Sequence, residues 1–540
     1  MVLFKSSGGT IYIVAGDFNP REMFGLGLSF VKKIKKDNMY SGSGFSSWEI
    51  GDVDVFIDEN GVHHLFHLII PNHDYIAHAV SRDGLSWKRV KNALFVGDPG
   101  EWDDDMLWTM HVSKKADGNG YEMYYTGLKR KDRGIMQKVG RAVSPDLIHW
   151  TKENDFGLPL KSDAPYYESS ANNPREWISF RDPYKYTFEG EDYLLICARS
   201  AIGPTYRRGC IGVAKREETG FVLQKPLHVP YVYDDVECPC VVEIKGMHYL
   251  LGSIREDIKV RYWFSPDFKG EYHAFHNNVL MPQGNYASRI VKEGDYYLIY
   301  NFYFVGGNVN THRVIPPPKQ LDVDSNGRLL LKTYHHWETI YQRTIEQKNL
   351  PIPVPILGNP SANFVLEHES KWRFGCRSGY EVFCFDKPSN DFVWEGTLAV
   401  EGMGKTGFVI ECDEEGTAYY ISIDFVNGFV QFRAWGFNEK DVKNNFIFEN
   451  IQTNQFEIVD KKEIYFKIIR HGNYYEVSIN DVVKLTLLDF KYSDGKIGVY
   501  VCSAIVSLND SKIHVIPEPE NEYATADPNK AFDEYLKKSH

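Results

Sequence analysis

One pattern of polar and apolar positions recurs along the first two thirds of the chain. It opens with a glycine and runs on as an aromatic-rich segment that alternates with a period of two. The copies are Gly61-Val62-His63-His64-Leu65-Phe66, Gly120-Tyr121-Glu122-Met123-Tyr124-Tyr125, Gly190-Glu191-Asp192-Tyr193-Leu194-Leu195, Gly246-Met247-His248-Tyr249-Leu250-Leu251 and Gly294-Asp295-Tyr296-Tyr297-Leu298-Ile299, roughly 50–70 residues apart. A period of two bounded by Gly and Asp turns predicts strands joined as hairpins. A second repeat reads A-V-S-x-D-x-x-x-W, as Ala79 to Trp87 and Ala142 to Trp150, with a weaker copy in Phe264-Ser265-Pro266-Asp267-Phe268. Its Asp suits a turn that accepts backbone N–H groups, and its Trp suits packing between units.

Five antiparallel units of this length, with a fixed internal order, predict an all-β chain whose first part is a five-bladed β-propeller, since radial blades of four strands protect their own edges. The propeller is expected over residues 48–335, after a lead-in at 1–47 that adds a closing strand to the last blade. Residues 336–360 carry Pro351, Pro353, Pro355 and Pro360 and read as an extended linker. Residues 361–516 change texture, with short alternating segments such as Tyr419-Tyr420-Ile421-Ser422-Ile423, and predict a C-terminal β-sandwich. It shows no acid pair in register and is expected to be structural. Residues 517–540 read as a polar tail.

Composition narrows the function. Hydrophobic residues are 43% and charged residues 25% of the 540, which suits a packed globular chain of two large units. The net charge of -12 and the shortness of the basic runs, such as Lys129-Arg130-Lys131, argue against nucleic acid as a partner. Eight cysteines in 540 residues do not make a disulfide framework, and Cys238-Pro239-Cys240 is too tight for a zinc pair, so neither a metal nor another cofactor is expected. No stretch of about 18 apolar residues suggests a membrane span. The N-terminus lacks a basic region leading into an apolar one, so a cytoplasmic protein is expected, with a secreted form whose leader has been removed as the alternative. Assembly into identical copies is left open.

The innermost strand of each blade lines a propeller's channel, so the residues ahead of each repeated glycine carry the candidate chemistry. Asp52 and Glu237 each stand nine residues before their glycine, and Asp182 stands eight before its own. Equivalent positions on blades one, three and four then bring three carboxylates to one axis. Like charges raise one another's pKa, and glycoside hydrolysis needs one ionised and one protonated carboxyl group flanking the anomeric carbon. Asp54 shares a strand face with Asp52 on a plain alternation and is the rival nucleophile. Trp102 and Trp108 are candidates either to stack on a sugar or to pack a blade. Thr109, His73, His78 and His111 are candidate rim residues, and Arg181 is placed to orient a carboxylate or reach the sugar.

The chain resembles glycoside hydrolase family 32, the β-fructosidases, and the related family 43 propellers. Ile76 to Trp87 is similar to the first-blade signature of family 32, Phe180-Arg181-Asp182-Pro183 to its Arg-Asp-Pro motif, and Val236-Glu237-Cys238-Pro239 to its Glu-Cys motif. By that resemblance Asp52 is the nucleophile, Glu237 the general acid/base and Asp182 a stabiliser of the transition state. The resemblance implies a carbohydrate substrate, fructosides first, and a retaining mechanism. A family 43-like inverting arabinofuranosidase or xylosidase is the alternative within the enzymes, and a catalytically inactive carbohydrate-binding propeller the alternative outside them. The family's nucleophile motif reads Asn-Asp-Pro-Asn-Gly after Trp-Met, whereas this chain reads Ile50-Gly51-Asp52-Val53-Asp54-Val55. The missing Asn and Trp line the sugar subsite in typical members.

Overall fold

The computed structural model describes residues 4–5, 11–12, 39–43, 49–153, 157–169, 177–307, 312–347, 349, 351–354, 363–368, 371–437, 446–457 and 462–523. Among them helix is confined to three short 3-10 segments, Arg130–Asp132, Val305–Gly307 and His335–Ile340, and no helix is long and apolar enough to cross a membrane. Phe4–Lys5 and Ile11–Tyr12 pair as a small hairpin of their own. Most of the lead-in expected to add a closing strand falls on residues outside those described; of the rest, Tyr40 O accepts Ile315 N–H at 2.9 Å and Ser41 O accepts Ile50 N–H at 2.7 Å.

Five antiparallel sheets follow one another, each with four main strands in chain order, and blades one, two and five also pair one short extra strand. Blade one is built from Glu49–Ile57, His63–Ile70, Tyr75–Ser81 and Lys88–Arg89, and blade two from Met106–Lys114, Tyr121–Leu128, Lys138–Ser144 and Thr151–Glu153. Blade three is Phe180–Phe188, Glu191–Arg199, Gly209–Glu217 and Gly220–Leu223. Blade four is Glu237–Ile244, Met247–Ile254, Lys259–Ser265 and Val279–Met281. Blade five is Asn285–Glu293, Tyr296–Phe304, Lys319–Val323 and Leu329–Lys332. The repeated glycine is the hairpin between the first and second strands. At Gly190 and Gly246 it follows a residue that is itself left-handed, Glu189 at φ 52° and Lys245 at φ 54°. Two successive positive φ values match the right-handed twist of the flanking strands, and glycine takes the second at no steric cost.

The A-V-S-x-D-x-x-x-W repeat is the turn from third to fourth strand. Asp83 Oδ1 accepts the N–H groups of Leu85 and Ser86 at 2.9 Å, and Asp146 Oδ1 those of Ile148 at 2.9 Å and His149 at 2.8 Å. Each Trp reaches the preceding blade around the ring. The Trp87 ring lies 6.2 Å from Tyr300 of blade five, and the Trp150 ring 5.7 Å from Phe66 of blade one.

Among the described residues beyond the propeller, thirteen strands form a β-sandwich cored by Trp372, Trp394, Phe408 and Phe466, with the Trp394 ring 5.1 Å from Phe408 and 5.6 Å from Phe466. Its layers are not separate sheets. The 20-residue strand Lys496–Val515 pairs with Lys371–Phe385, Phe392–Glu401 and Lys405–Cys412, so one strand belongs to both. The segment read as an extended linker is partly sheet: Arg343–Glu346 pairs with Lys496–Val515, and Ile352–Val354 pairs with Lys371–Phe385. Proline does not prevent this, because a strand at a sheet edge can spare an N–H. The start of the polar tail also folds back. Glu522 N–H donates to Trp87 O at 2.9 Å, Arg89 N–H to Glu522 O at 2.8 Å, and Tyr523 stacks on Tyr40 at 5.3 Å. The sandwich meets blade five, where Asn285 Nδ2 donates to Thr486 O at 3.1 Å and Gln452 Nε2 to Gln283 O at 2.8 Å.

Candidate active site

All five innermost strands break register at the same place. The breaks fall between Ile50 and Val53, Trp108 and Met110, Arg181 and Tyr184, Glu237 and Cys240, and Tyr286 and Arg289. A bulge leaves residues unpaired and turns their side chains out of the sheet's alternation. Three of these residues are left-handed without being glycine: Asp182 at φ 61°, Cys238 at φ 48° and Ala287 at φ 52°. Such strain persists where surroundings hold it, and here each freed N–H finds a side-chain acceptor. Asp182 N–H donates to Thr126 Oγ1 at 3.0 Å, Cys238 N–H to Asp182 Oδ2 at 2.9 Å, and Ala287 N–H to Ser253 Oγ at 2.9 Å.

The three acids do meet at the hub, but not from equivalent positions. Counted from the bulge, Glu237 is the last paired residue before it, Asp182 the first unpaired residue, and Asp52 the second. Counting to the hairpin glycine hides this. The turn of blade one is longer, with Ile57 facing His63, than those of blades three and four, where Phe188 faces Glu191 and Ile244 faces Met247. A carboxylate oxygen of Asp52, one of Asp182 and Sγ of Cys238 all lie within 4.8 Å of one another. Cys238 Sγ is 3.7 Å from Asp52 Oδ2 and 3.8 Å from Asp182 Oδ2. Burial first, and then those two carboxylates, push the Cys238 thiol well up. It offers them a proton rather than a thiolate, which is a poor start for a metal cage.

Glu237 is held by side chains from two neighbouring blades. Arg181 Nη2 donates to Oε1 at 2.6 Å, and Tyr286 of blade five donates to Oε2. Arg181 also donates to Asp235 Oδ2 at 3.1 Å, and its Nε stands 3.7 Å from Asp182 Oδ2. Burial raises the Glu237 pKa above the usual carboxyl range. The charge on Arg181 opposes this, and the negative charges of Asp182 and Asp235 reinforce it. Burial likewise raises Asp182, opposed by Arg181 and reinforced by Asp52. Burial raises Asp52 too, against a hydrogen bond from the Thr109 hydroxyl to Oδ2 and the charges of Arg289 and Arg313. Beside this cluster opens a cleft of ≈ 570 Å³, lined by Trp108, Trp177, Arg181, Asp235, Glu237 and Arg255 among others.

Trp108, Thr109 and Arg181 thus stand where the sequence suggested, at the cleft or on the acids. His78 does not. It is fully buried within blade one, its Nε2 3.0 Å from His64 Nδ1 and its ring 4.3 Å from Phe66. Trp102 packs blade two: it lies 5.6 Å from Tyr125 over Gly127 and Gly140, where any Cβ would come within 2.4 and 2.3 Å of its ring. His73 borders Trp108, the two rings 6.2 Å apart.

Asp54 is not beside Asp52 on an open face, because the bulge between them cancels the alternation. It is 1% exposed, takes Val112 N–H at 2.7 Å, and lies 3.2 Å from His111 Nδ1 and 3.7 Å from Arg289 Nε. It pins blade one to blades two and five. Asp54→Asn is expected to cost about 3 kcal/mol, since it leaves a buried guanidinium without its counter-charge. A lowered midpoint of thermal unfolding would show this, with kcat of the folded protein within tenfold of the parent. A loss of kcat without a loss of stability would instead make Asp54 the nucleophile.

Tyr286, Asp235 and Arg289 were not picked out from sequence. Tyr286 holds on blade five the position, just before the bulge, that Trp108 holds on blade two and Glu237 on blade four. That register was the missing signal.

Residues 47–248 match the glycosyl hydrolases family 32 N-terminal domain. No curated protein sequence matches the chain. Among solved structures, fructan 1-exohydrolase IIa from Cichorium intybus is similar at 14% identity and TM-score 0.65, over 88% of this chain and 96% of that one. A sucrose-6-phosphate hydrolase from Lactobacillus gasseri is similar at 14% identity and TM-score 0.62, over 87% and 91%. A GH32 beta-fructofuranosidase from Bombyx mori is similar at 15% identity and TM-score 0.59, over 90% and 96%. At these identities the likeness is one of fold, and it spans both the propeller and the sandwich.

Proposed function

We propose that this chain, whose residues 47–248 match the glycosyl hydrolases family 32 N-terminal domain, is a glycoside hydrolase that cleaves terminal β-fructofuranosides by a retaining displacement. One observation carries this reading: Asp52, Asp182 and Glu237 come from three blades to one hub, Asp182 buried and the other two partly buried, each with a raised pKa. In the proposed reaction ionised Asp52 attacks the anomeric carbon while protonated Glu237 delivers its proton to the leaving oxygen. Glu237, now ionised, takes a proton from the water that displaces Asp52 from the sugar, which restores both groups. Thr109 orients the attacking carboxylate, and Asp182 accepts hydrogen bonds from sugar hydroxyls. The names of the similar structures support a fructoside: one holds 1-kestose and another sucrose.

The departure at the first motif has a physical form. Gly51 stands where the family carries Asn, and a Cβ there would come within 2.9 Å of Leu68 and 3.0 Å of Ile70. That position faces packed blade rather than sugar, which keeps an arabinofuranoside as the second reading. Incubation with sucrose, inulin, levan and an aryl arabinofuranoside, with product anomers read by NMR, decides. Fructose released first with retained configuration is the expected result. Inverted product would move the chain toward family 43 chemistry, and no turnover of any substrate would leave a binding propeller.

A further inference from the structure

The outer face of one sandwich layer is aromatic where a solvent-facing sheet is ordinarily polar. Tyr420 and Trp435 lie on the neighbouring strands Ala418–Asp424 and Phe429–Phe437, while Phe448 sits opposite Trp435 on Phe446–Gln455. Their neighbours in register, Tyr419, Ile421 and Phe432, point the other way, into the core. Tyr380 stands at 90° to Trp435 with rings 6.1 Å apart, and Tyr420 lies 5.6 Å from Trp435 and 5.6 Å from Tyr500. Together they line a depression of ≈ 320 Å³. Gly407, opposite both Ser422 and Tyr500, adds no side chain to the row between them, and a Cβ there would come within 3.0 Å of the Tyr500 ring.

The polar groups sit together. Ser422 Oγ and the Tyr500 hydroxyl are 2.7 Å apart, and Lys405 and Arg433 border the same depression, with the guanidinium 5.6 Å from the Phe448 ring. Phe448 is 68% exposed, a large area for an aromatic ring to leave in water. The other large apolar side chains exposed on the sandwich, Ile352, Met403 and Val426, do not line this depression. The apolar surface is therefore a concave pocket, not the broad patch of ~800 Å² per partner that a stable protein interface needs. Its volume suits one or two rings. A ligand with an apolar flat face and a hydroxylated edge matches both halves of the lining.

We propose that this pocket binds a sugar ring within a carbohydrate chain, the C–H face of the ring on Trp435 and its hydroxyls toward Ser422, Tyr500 and Arg433. The choice of fructan rests on the proposed function, but the pocket lies on the sandwich, away from the hub. It would hold a polymer to the enzyme without taking part in cleavage.

The test uses the full chain with Asp52→Asn, so that bound polymer is not consumed, run by affinity electrophoresis through gels containing levan, inulin or arabinan. Retardation by at least one polymer is expected, weakened tenfold or more by Trp435→Ala and by Phe448→Ala. The exposed Phe448 guards against a variant that fails only by misfolding. With Asp52 intact, both variants should keep kcat/KM on sucrose within twofold. Retardation unchanged in both variants would overturn the proposal, as would retardation by none of the polymers. A dimer that Trp435→Ala dissociates would overturn it in favour of a contact between copies. Trp435-dependent retention in a chain that hydrolyses no fructoside would leave this site standing and remove the proposed reaction.

Discussion

Asp52→Asn is expected to lower kcat on sucrose by about four orders of magnitude, the loss typical of a displaced nucleophile. The substitution keeps the size of the side chain and an oxygen for the Thr109 hydroxyl, and removes the charge that attacks carbon. Steady-state kinetics on sucrose checks it, with azide added to test rescue by an external nucleophile. Activity within tenfold of the parent would take the nucleophile away from Asp52. Stability should move the other way. Asp52 has a raised pKa in the folded protein, so its contribution favours folding below the unfolded value and is lost as pH rises through the folded one. At neutral pH the ionised group therefore weighs against the fold, and the Asn variant should melt slightly higher, as active-site replacements often do.

Glu237→Gln is expected to divide substrates by their leaving groups. Sucrose, which needs its leaving oxygen protonated, should lose about 10³-fold in kcat, whereas an activated aryl fructoside should lose far less in its first step. The pH profile supplies a second reading. Burial, reinforced by Asp182 and Asp235, lifts the pKa of Glu237, so the protonated form persists to higher pH than for an ordinary carboxyl group, and kcat/KM should fall as pH rises through that value. In Glu237→Gln that alkaline limb should vanish, because the amide does not titrate. A limb unchanged in Glu237→Gln would assign it to another group.

Much of this was legible in the chain. The five glycine-led strands and the turn repeat follow local rules, positive φ in tight hairpins and Asp accepting turn N–H groups, and local rules survive into the fold. Arg181 and Glu237 were legible as motif residues. Their partnership was not, because it joins blades whose strands lie far apart in sequence. Two of the errors share an origin. Plain alternation placed Asp54 beside Asp52, and counting to Gly61 made three acids equivalent, yet the bulge shifts the face each residue presents by an amount that no two-residue period contains. His78 failed for another reason: neighbouring apolar strands that carry histidines can bury them against one another, as His64 and His78 do.

The docking of Asn521 to Tyr523 on blade one bears on the order of events during synthesis. Trp87 N–H donates to Asn521 Oδ1 at 2.8 Å across 434 residues of chain. Blade one is made early, yet the partner of its outer edge emerges tens of seconds later at ordinary rates of elongation. Until then that edge is an open template for wrong pairing. The first blade cannot be finished until the sandwich has been made, so the nascent protein must keep an unsealed sheet waiting on the ribosome.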